Sequence, residues 1–123
     1  MAASAATAAT LTPIPAAAQQ RALALYAEGA EVKAARALRE DTFLALLHSP
    51  AALAALVRDG SLPATPAEAA ARLAREDAQL HDALLRLLAQ GDRNGAVRQL
   101  RRATDLDLAN AHLLVRALER PAG

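Results

Sequence analysis

Apolar residues recur at three- and four-residue steps along nearly the whole chain, and polar or helix-breaking residues divide them into segments of helical length. Ala22, Leu23, Leu25 and Tyr26 give an apolar side to a first helix, from Pro15 to about Glu28. Thr12-Pro13-Ile14-Pro15 keeps the backbone extended before it, and Gly29 stops it. A second helix is predicted over about 31–41, with Val32, Ala35 and Leu38 on one face, followed by the apolar turn 42–47. Ser49-Pro50 opens a short third helix with Leu53, Leu56 and Val57 inward, and Asp59-Gly60 ends it. Thr65-Pro66-Ala67-Glu68 is a capping box with Pro in the first turn. From there a continuous helix is predicted to Gln90, carrying Leu73, Leu80, Leu84, Leu87 and Leu88, with Gly91 as its stop. Asp92 caps a fifth helix over about 93–103, and Asp107 a sixth over about 108–119.

No segment alternates apolar and polar residues as a half-buried strand does, so the expected fold is all-α. It is expected to be a six-helix bundle made of two related three-helix units. The division is a flexible tail (1–14), a first helical repeat (15–60), a linker (61–65) and a second helical repeat (66–120). The paired leucines Leu84-Leu85 and Leu87-Leu88 cover more than one helix face, which points to a buried central helix serving both hairpins.

The two units are related by an internal repeat. Nine of the twenty positions from Ala27 to Leu46 carry the same residue sixty-two places on. The pairs are Ala27 and Ala89, Gly29 and Gly91, Ala34 and Ala96, Arg36 and Arg98, Leu38 and Leu100, Arg39 and Arg101, Thr42 and Thr104, Leu44 and Leu106, and Leu46 and Leu108. Gly and Arg matches lift this above the self-similarity of an Ala/Leu-rich chain. The copies lose step near His48 to Pro50. In each, the Thr hydroxyl is placed to bond backbone at the helix end, and the two turn leucines to plug the open end of the hairpin.

Composition adjusts this picture in two ways. The hydrophobic fraction of 54% is largely Ala, so core volume must come from Leu, helped by Val32, Val57, Val97, Val115, Tyr26 and Phe43. A net charge of +1 gives no field that calls for nucleic acid or an anionic membrane, and no Cys is present for disulfide or thiolate chemistry. No run approaches the ~20 apolar residues of a membrane span, and Met1 to Thr10 lacks a basic n-region. A cytoplasmic protein with no membrane association is expected.

Residue types suited to catalysis are scattered. His48, His81 and His112 lie in different elements without the i, i+4 spacing of a helical metal site. Ser4, Ser49 and Ser61 fall in the tail, at a cap and in the linker; Gly91-Asp92-Arg93-Asn94-Gly95 lacks the Lys-Ser/Thr of a phosphate loop. Adjacent acids such as Glu40-Asp41 and Glu76-Asp77 point apart on a helix. The expectation is no enzyme, with no catalytic, metal or cofactor residues. Arg98, Arg101 and Arg102 instead share a helix side, with Arg93 about a turn earlier.

Gly91-Asp92-Arg93-Asn94-Gly95-Ala96-Val97-Arg98-Gln99-Leu100-Arg101-Arg102-Ala103-Thr104-Asp105-Leu106-Asp107-Leu108, with Ala111 and Val115, resembles the helical hairpin of the C-terminal domain of the bacterial ribosomal stalk protein. The likeness is ungapped over about twenty-five residues. Asp105 and Asp107 stand where that family carries Gly, and Ala109 and His112 where it carries lysines. The strands that flank the family's hairpin have no counterpart here. The resemblance implies a non-catalytic protein-interaction module of bacterial type. Its partner-binding residues would be Val97, Arg98, Arg101, Arg102, Leu106, Leu108 and His112. Two alternatives stay open: a small nucleic-acid-binding or regulatory protein using the Arg cluster, and a self-associating structural bundle or homodimer.

Overall fold

The computed structural model describes residues 7–120. Among them the helices are α1 (Ala8–Leu11), α2 (Ala16–Ala27), α3 (Glu31–Arg39), α4 (Ser49–Asp59), α5 (Pro66–Glu76), α6 (Ala78–Ala89), α7 (Arg93–Thr104) and α8 (Leu108–Glu119), with a 3-10 turn at Leu46–His48. The fold is all-α, but it is not a six-helix bundle of two three-helix units. Two features make the difference.

The first is a break inside the predicted helix 66–90. At Asp77 the backbone leaves the helical region (φ −146°, ψ 74°); its N–H closes α5 on the Leu73 carbonyl at 2.8 Å, and its carboxylate accepts the Leu80 N–H at 3.1 Å. One residue thus ends α5 and caps α6, as a short acidic side chain is suited to do. Leu73 and Leu80 lie two helical turns apart, so the apolar steps run across the break without marking it. The break lets α5 pack on α8 while α6 packs on α7. Hence α6 is not a central helix shared by both hairpins: Leu84 is buried, Leu87 and Leu88 are half-buried, and Leu85 is exposed.

The second is α1, which falls in the predicted flexible tail. Residues 8–12 and Ile14 are buried, so the tail expectation is corrected over 7–14; its residues 1–6 lie outside the described ones. Thr10 Oγ1 accepts the Thr7 N–H at 3.0 Å, and Thr12 Oγ1 donates to the Ala8 carbonyl at 2.7 Å. This single turn packs between α4 and α5. It contributes Ala9 to one apolar cluster and Ala8 and Leu11 to the other.

Apart from α1, each cluster belongs to one half of the chain. Leu38, Leu44, Leu53 and Leu56 with alanines of α2, α3 and α4 form the first; Leu73, Leu80, Leu84, Leu100, Leu106, Leu114 and Val115 form the second. Val97 and Val115 are core residues as expected, whereas Val32 and Phe43 are exposed, and Tyr26 and Val57 only partly covered. The buried side of α3 is Ala34, Ala37 and Leu38 rather than a face containing Val32. Small residues there, facing Ala18 and Ala22 of α2, let the two helices pack closely.

The sequence repeat is matched by the same backbone and hydroxyl bonds at its Gly and Thr positions. Gly29 and Gly91 adopt φ of +84° and +78°, a left-handed conformation that costs other residues energy. After them, Ala30 N–H reaches the Leu25 carbonyl and Asp92 N–H the Leu87 carbonyl, both at 2.9 Å. Thr42 Oγ1 donates to the Leu38 carbonyl at 2.9 Å, and Thr104 Oγ1 to the Leu100 carbonyl at 2.7 Å. The same hydroxyls accept the N–H of Leu44 and of Leu106, each at 3.3 Å. Leu44 and Leu106 are buried plugs, but the second turn leucines, Leu46 and Leu108, face outward.

The linker is held by a buried Gln19. Its Nε2 donates to the Ile14 carbonyl at 2.8 Å and the Leu62 carbonyl at 2.9 Å, while its Oε1 accepts the Leu62 N–H at 2.8 Å. Ile14 N–H adds a bond to the Pro63 carbonyl at 2.9 Å. Near the same junction Arg72, almost wholly buried, reaches Asp59 Oδ2 at 2.7 Å and Glu76 Oε1 at 3.1 Å, tying α4 to α5. No helix among the described residues is long and apolar enough to cross a membrane.

Candidate partner-binding face

Helix α7 opens at Asp92, whose carboxylate accepts the Gly95 N–H at 2.9 Å, and α8 opens at Asp107, which accepts the Ala109 N–H at 3.1 Å. Between these caps, Ala96, Val97 and Leu100 turn one side of α7 into the core, and Ala111, Leu114 and Val115 do the same for α8. Where these buried faces meet solvent they leave a shallow groove of about 260 Å³, lined by Asn94, Val97, Arg98 and Arg101 from α7 and by Leu108 and His112 from α8. Small-molecule sites commonly run from about 300 to 1,000 Å³ and bury most of their ligand. An open groove of this size suits one or two side chains of a partner rather than a whole metabolite.

Five of the seven residues expected from sequence meet in this groove. Arg102 is exposed but does not line it, and Leu106 is buried as the hairpin plug, so neither is available to a partner entering there. Asn94 was missed; its position one helical turn before Arg98 is the signal that finds it.

The arginines differ in how free they are. Arg93 is committed to Glu119, with Nε and Nη2 at 2.9 and 3.0 Å from the two carboxylate oxygens; these bonds raise its pKa further. Arg101 Nε donates to the Leu106 carbonyl at 3.3 Å. Arg101 and Arg102 also sit in the last turn of α7, where a cation offsets the carbonyl end of the helix. Arg98 has neither explanation: it is exposed and has no ion-pair partner among the described residues.

Elsewhere the titratable groups serve the scaffold. Hydrogen bonds from Arg58, then from Arg72, hold the Asp59 carboxyl well below the usual carboxylate range. His48 Nε2 lies 3.1 Å from Asp105 Oδ2, and His81 Nδ1 lies 3.7 Å from Asp82 Oδ1, beyond hydrogen-bond length. The three histidines are not brought together, and the described residues hold no group of three His, Asp or Glu side chains spaced for a metal ion.

Comparison of the chain with protein-family models, with curated proteins and with solved structures finds no match.

Proposed function

We propose that this chain is a non-catalytic protein-interaction module, in which the α7–α8 groove takes an acidic segment of a partner protein. The observation that carries this is Arg98, an unpaired guanidinium at the edge of a groove whose apolar lining is Val97 and a half-exposed Leu108. Two cations beside an apolar recess complement a partner that offers a carboxylate next to an aliphatic or aromatic side chain. The likeness of Gly91 to Val115 to the ribosomal stalk hairpin supports the same role and, with it, a bacterial cytoplasmic setting. The groove carries no Phe, Tyr or Trp on which bases would stack, which favours protein over single-stranded nucleic acid.

The test is affinity capture from bacterial lysate with the wild-type chain, with R98E/R101E, and with R75E as a charge-matched control on α5. A protein retained by the wild type and R75E but lost with R98E/R101E is the expected result. An unchanged set of captured proteins overturns the assignment of this face. Salt-sensitive capture of RNA or DNA in place of protein overturns the partner class.

A further inference from the structure

We infer that the first half of the chain carries a second docking face for the same ligand class, an acidic segment with an apolar side chain, so that the molecule is bivalent. The inference rests on the reading of α7–α8 given above. It begins with what the nine identities of the repeat are for. Gly29 and Gly91 share a backbone conformation that demands glycine, and Ala34, Leu38 and Leu44 are buried like Ala96, Leu100 and Leu106. Thr42 and Thr104 make the same two hydrogen bonds, and Ala27 and Ala89 end equivalent helices. Three pairs remain with no place in either core: Arg36 with Arg98, Arg39 with Arg101, and Leu46 with Leu108. In the second half, these three residues all line the groove.

The turns differ in path, with the left-handed residue at Asp41 before Thr42 in one copy and at Asp105 after Thr104 in the other. Yet the bonds of Thr42 and the burial of Leu44 repeat those of Thr104 and Leu106 and bring Leu46 to the position of Leu108 in the repeat. Leu46 is 69% exposed and Leu108 51%, so both copies leave this turn leucine open to solvent. Val32, 74% exposed, replaces Asn94 and makes the first face more apolar. Arg36 makes no ion pair among the described residues, and the nearby Glu40 is engaged by Arg21 at 2.8 Å. Arg39 adds a donor in need of an acceptor: its Nε is buried without a hydrogen-bond partner, where Arg101 Nε has the Leu106 carbonyl. Swinging Arg39 onto an incoming carboxylate relieves that burial.

The two faces also adjoin. His48, two residues after Leu46, meets Asp105, three residues before Leu108, at 3.1 Å. This contact joins the turns that carry Leu46 and Leu108, so two motifs joined by a short linker can occupy both faces together.

The probe is an N-acetylated helical peptide with leucines at three- and four-residue steps and glutamates between them. It is used singly, as a tandem with a short Gly/Ser linker, and as a glutamine-for-glutamate control. Nitrogen-15 NMR of the whole chain maps contacts, and calorimetry counts sites. The expected result is shifts at Val32–Leu46 as well as Val97–His112, two sites per chain, and a tandem that binds about a hundredfold tighter than the single peptide. L46S and R36E, both at exposed positions, should leave one site and abolish the tandem's advantage. One site confined to Val97–His112 in the wild type overturns the second face while leaving the proposed function standing. Shifts at neither face overturn both. Equal binding of the glutamine control removes the acidic ligand class. Concentration-dependent growth in size that L46S abolishes makes a second copy the occupant of this face instead.

Discussion

Replacing Gln19 should cost more than any other single polar change in the linker region. Q19L removes three hydrogen bonds at 2.8 to 2.9 Å and leaves the Leu62 N–H and the Leu62 and Ile14 carbonyls facing an aliphatic side chain. Leu62 and Ile14 are buried, so the freed groups have little access to water. Each unsatisfied buried group costs about 1–3 kcal/mol. Allowing for partial relaxation and for the apolar surface gained, Q19L should lose about 2–5 kcal/mol, a large part of the roughly 5–15 kcal/mol available to a domain. Q19E separates hydrogen bonding from shape. Its carboxylate still accepts the Leu62 N–H but turns an anionic oxygen toward two carbonyls, so its folded-state pKa is raised above the unfolded value of about 4.3. The stabilising protonated form is fully present below that value, and Q19E weakens as pH rises through the folded-state pKa. Urea titration followed by far-ultraviolet circular dichroism, repeated from acid to neutral pH, measures all three proteins. A Q19L loss below about 0.5 kcal/mol, within the range of ordinary surface changes, refutes the reasoning. So does a Q19E penalty that does not grow with pH.

Leu38 and Leu100 are both fully buried at matched positions, so L38A and L100A should each cost about 2–5 kcal/mol in chemical denaturation. Should either cost less than about 1 kcal/mol, that leucine is not the centre of its cluster. G91A introduces a Cβ that meets nothing within 4 Å, but it must hold φ near +78°; thermal melts should show a loss of about 1–2 kcal/mol from backbone strain alone. Because Asp59 titrates below its ordinary 3.8, its contribution is present above that value and lost as pH falls through the folded-state pKa. D59N should therefore be less stable than the wild type at neutral pH and show a shallower fall in acid, measured by melts from neutral pH to below 3.8. R98E should leave the melting temperature within the scatter of a surface change while abolishing partner capture; a large drop in melting temperature would make Arg98 a scaffold residue.

Elements marked by local chemistry were legible in the sequence. Gly29 and Gly91 as stops, Thr65 with Pro66 as a start, and Asp92 and Asp107 as caps all act within one turn of the chain, so neighbouring residues suffice to read them. Asp77 marks its break with neither Gly nor Pro. The repeat held the missing signal, since Asp77 falls on Pro15, which stands before α2 as Asp77 stands before α6. Helix α1 was hidden for another reason: a four-residue helix of Ala, Thr and Leu has little intrinsic stability and exists through contacts with α4 and α5. Val32 misled because periodicity names the bulkiest face, whereas α3 packs through alanines. At the groove, Arg98 and Arg101 were marked by helical spacing, whereas Val97, Leu108 and His112 came from the resemblance to the stalk hairpin. Leu106, expected both as a plug of the hairpin and as a partner-binding residue, has only the first role open to it because it is buried.

The divided allegiance of α1 has a consequence for how the chain comes together. Leu11 completes a cluster that ends at Leu114 and Val115, about 100 residues later in the sequence. At synthesis rates of roughly 5–20 residues per second, that partner surface emerges on the order of 5–20 s after α1 itself. Until α5 emerges, α1 has only the contacts of the first half, and the cluster that holds Ala8 and Leu11 is complete only once Leu114 and Val115 follow. Closure of α1 across both clusters is thus a late, long-range step, and it welds two halves that otherwise fold on local contacts into one cooperative unit.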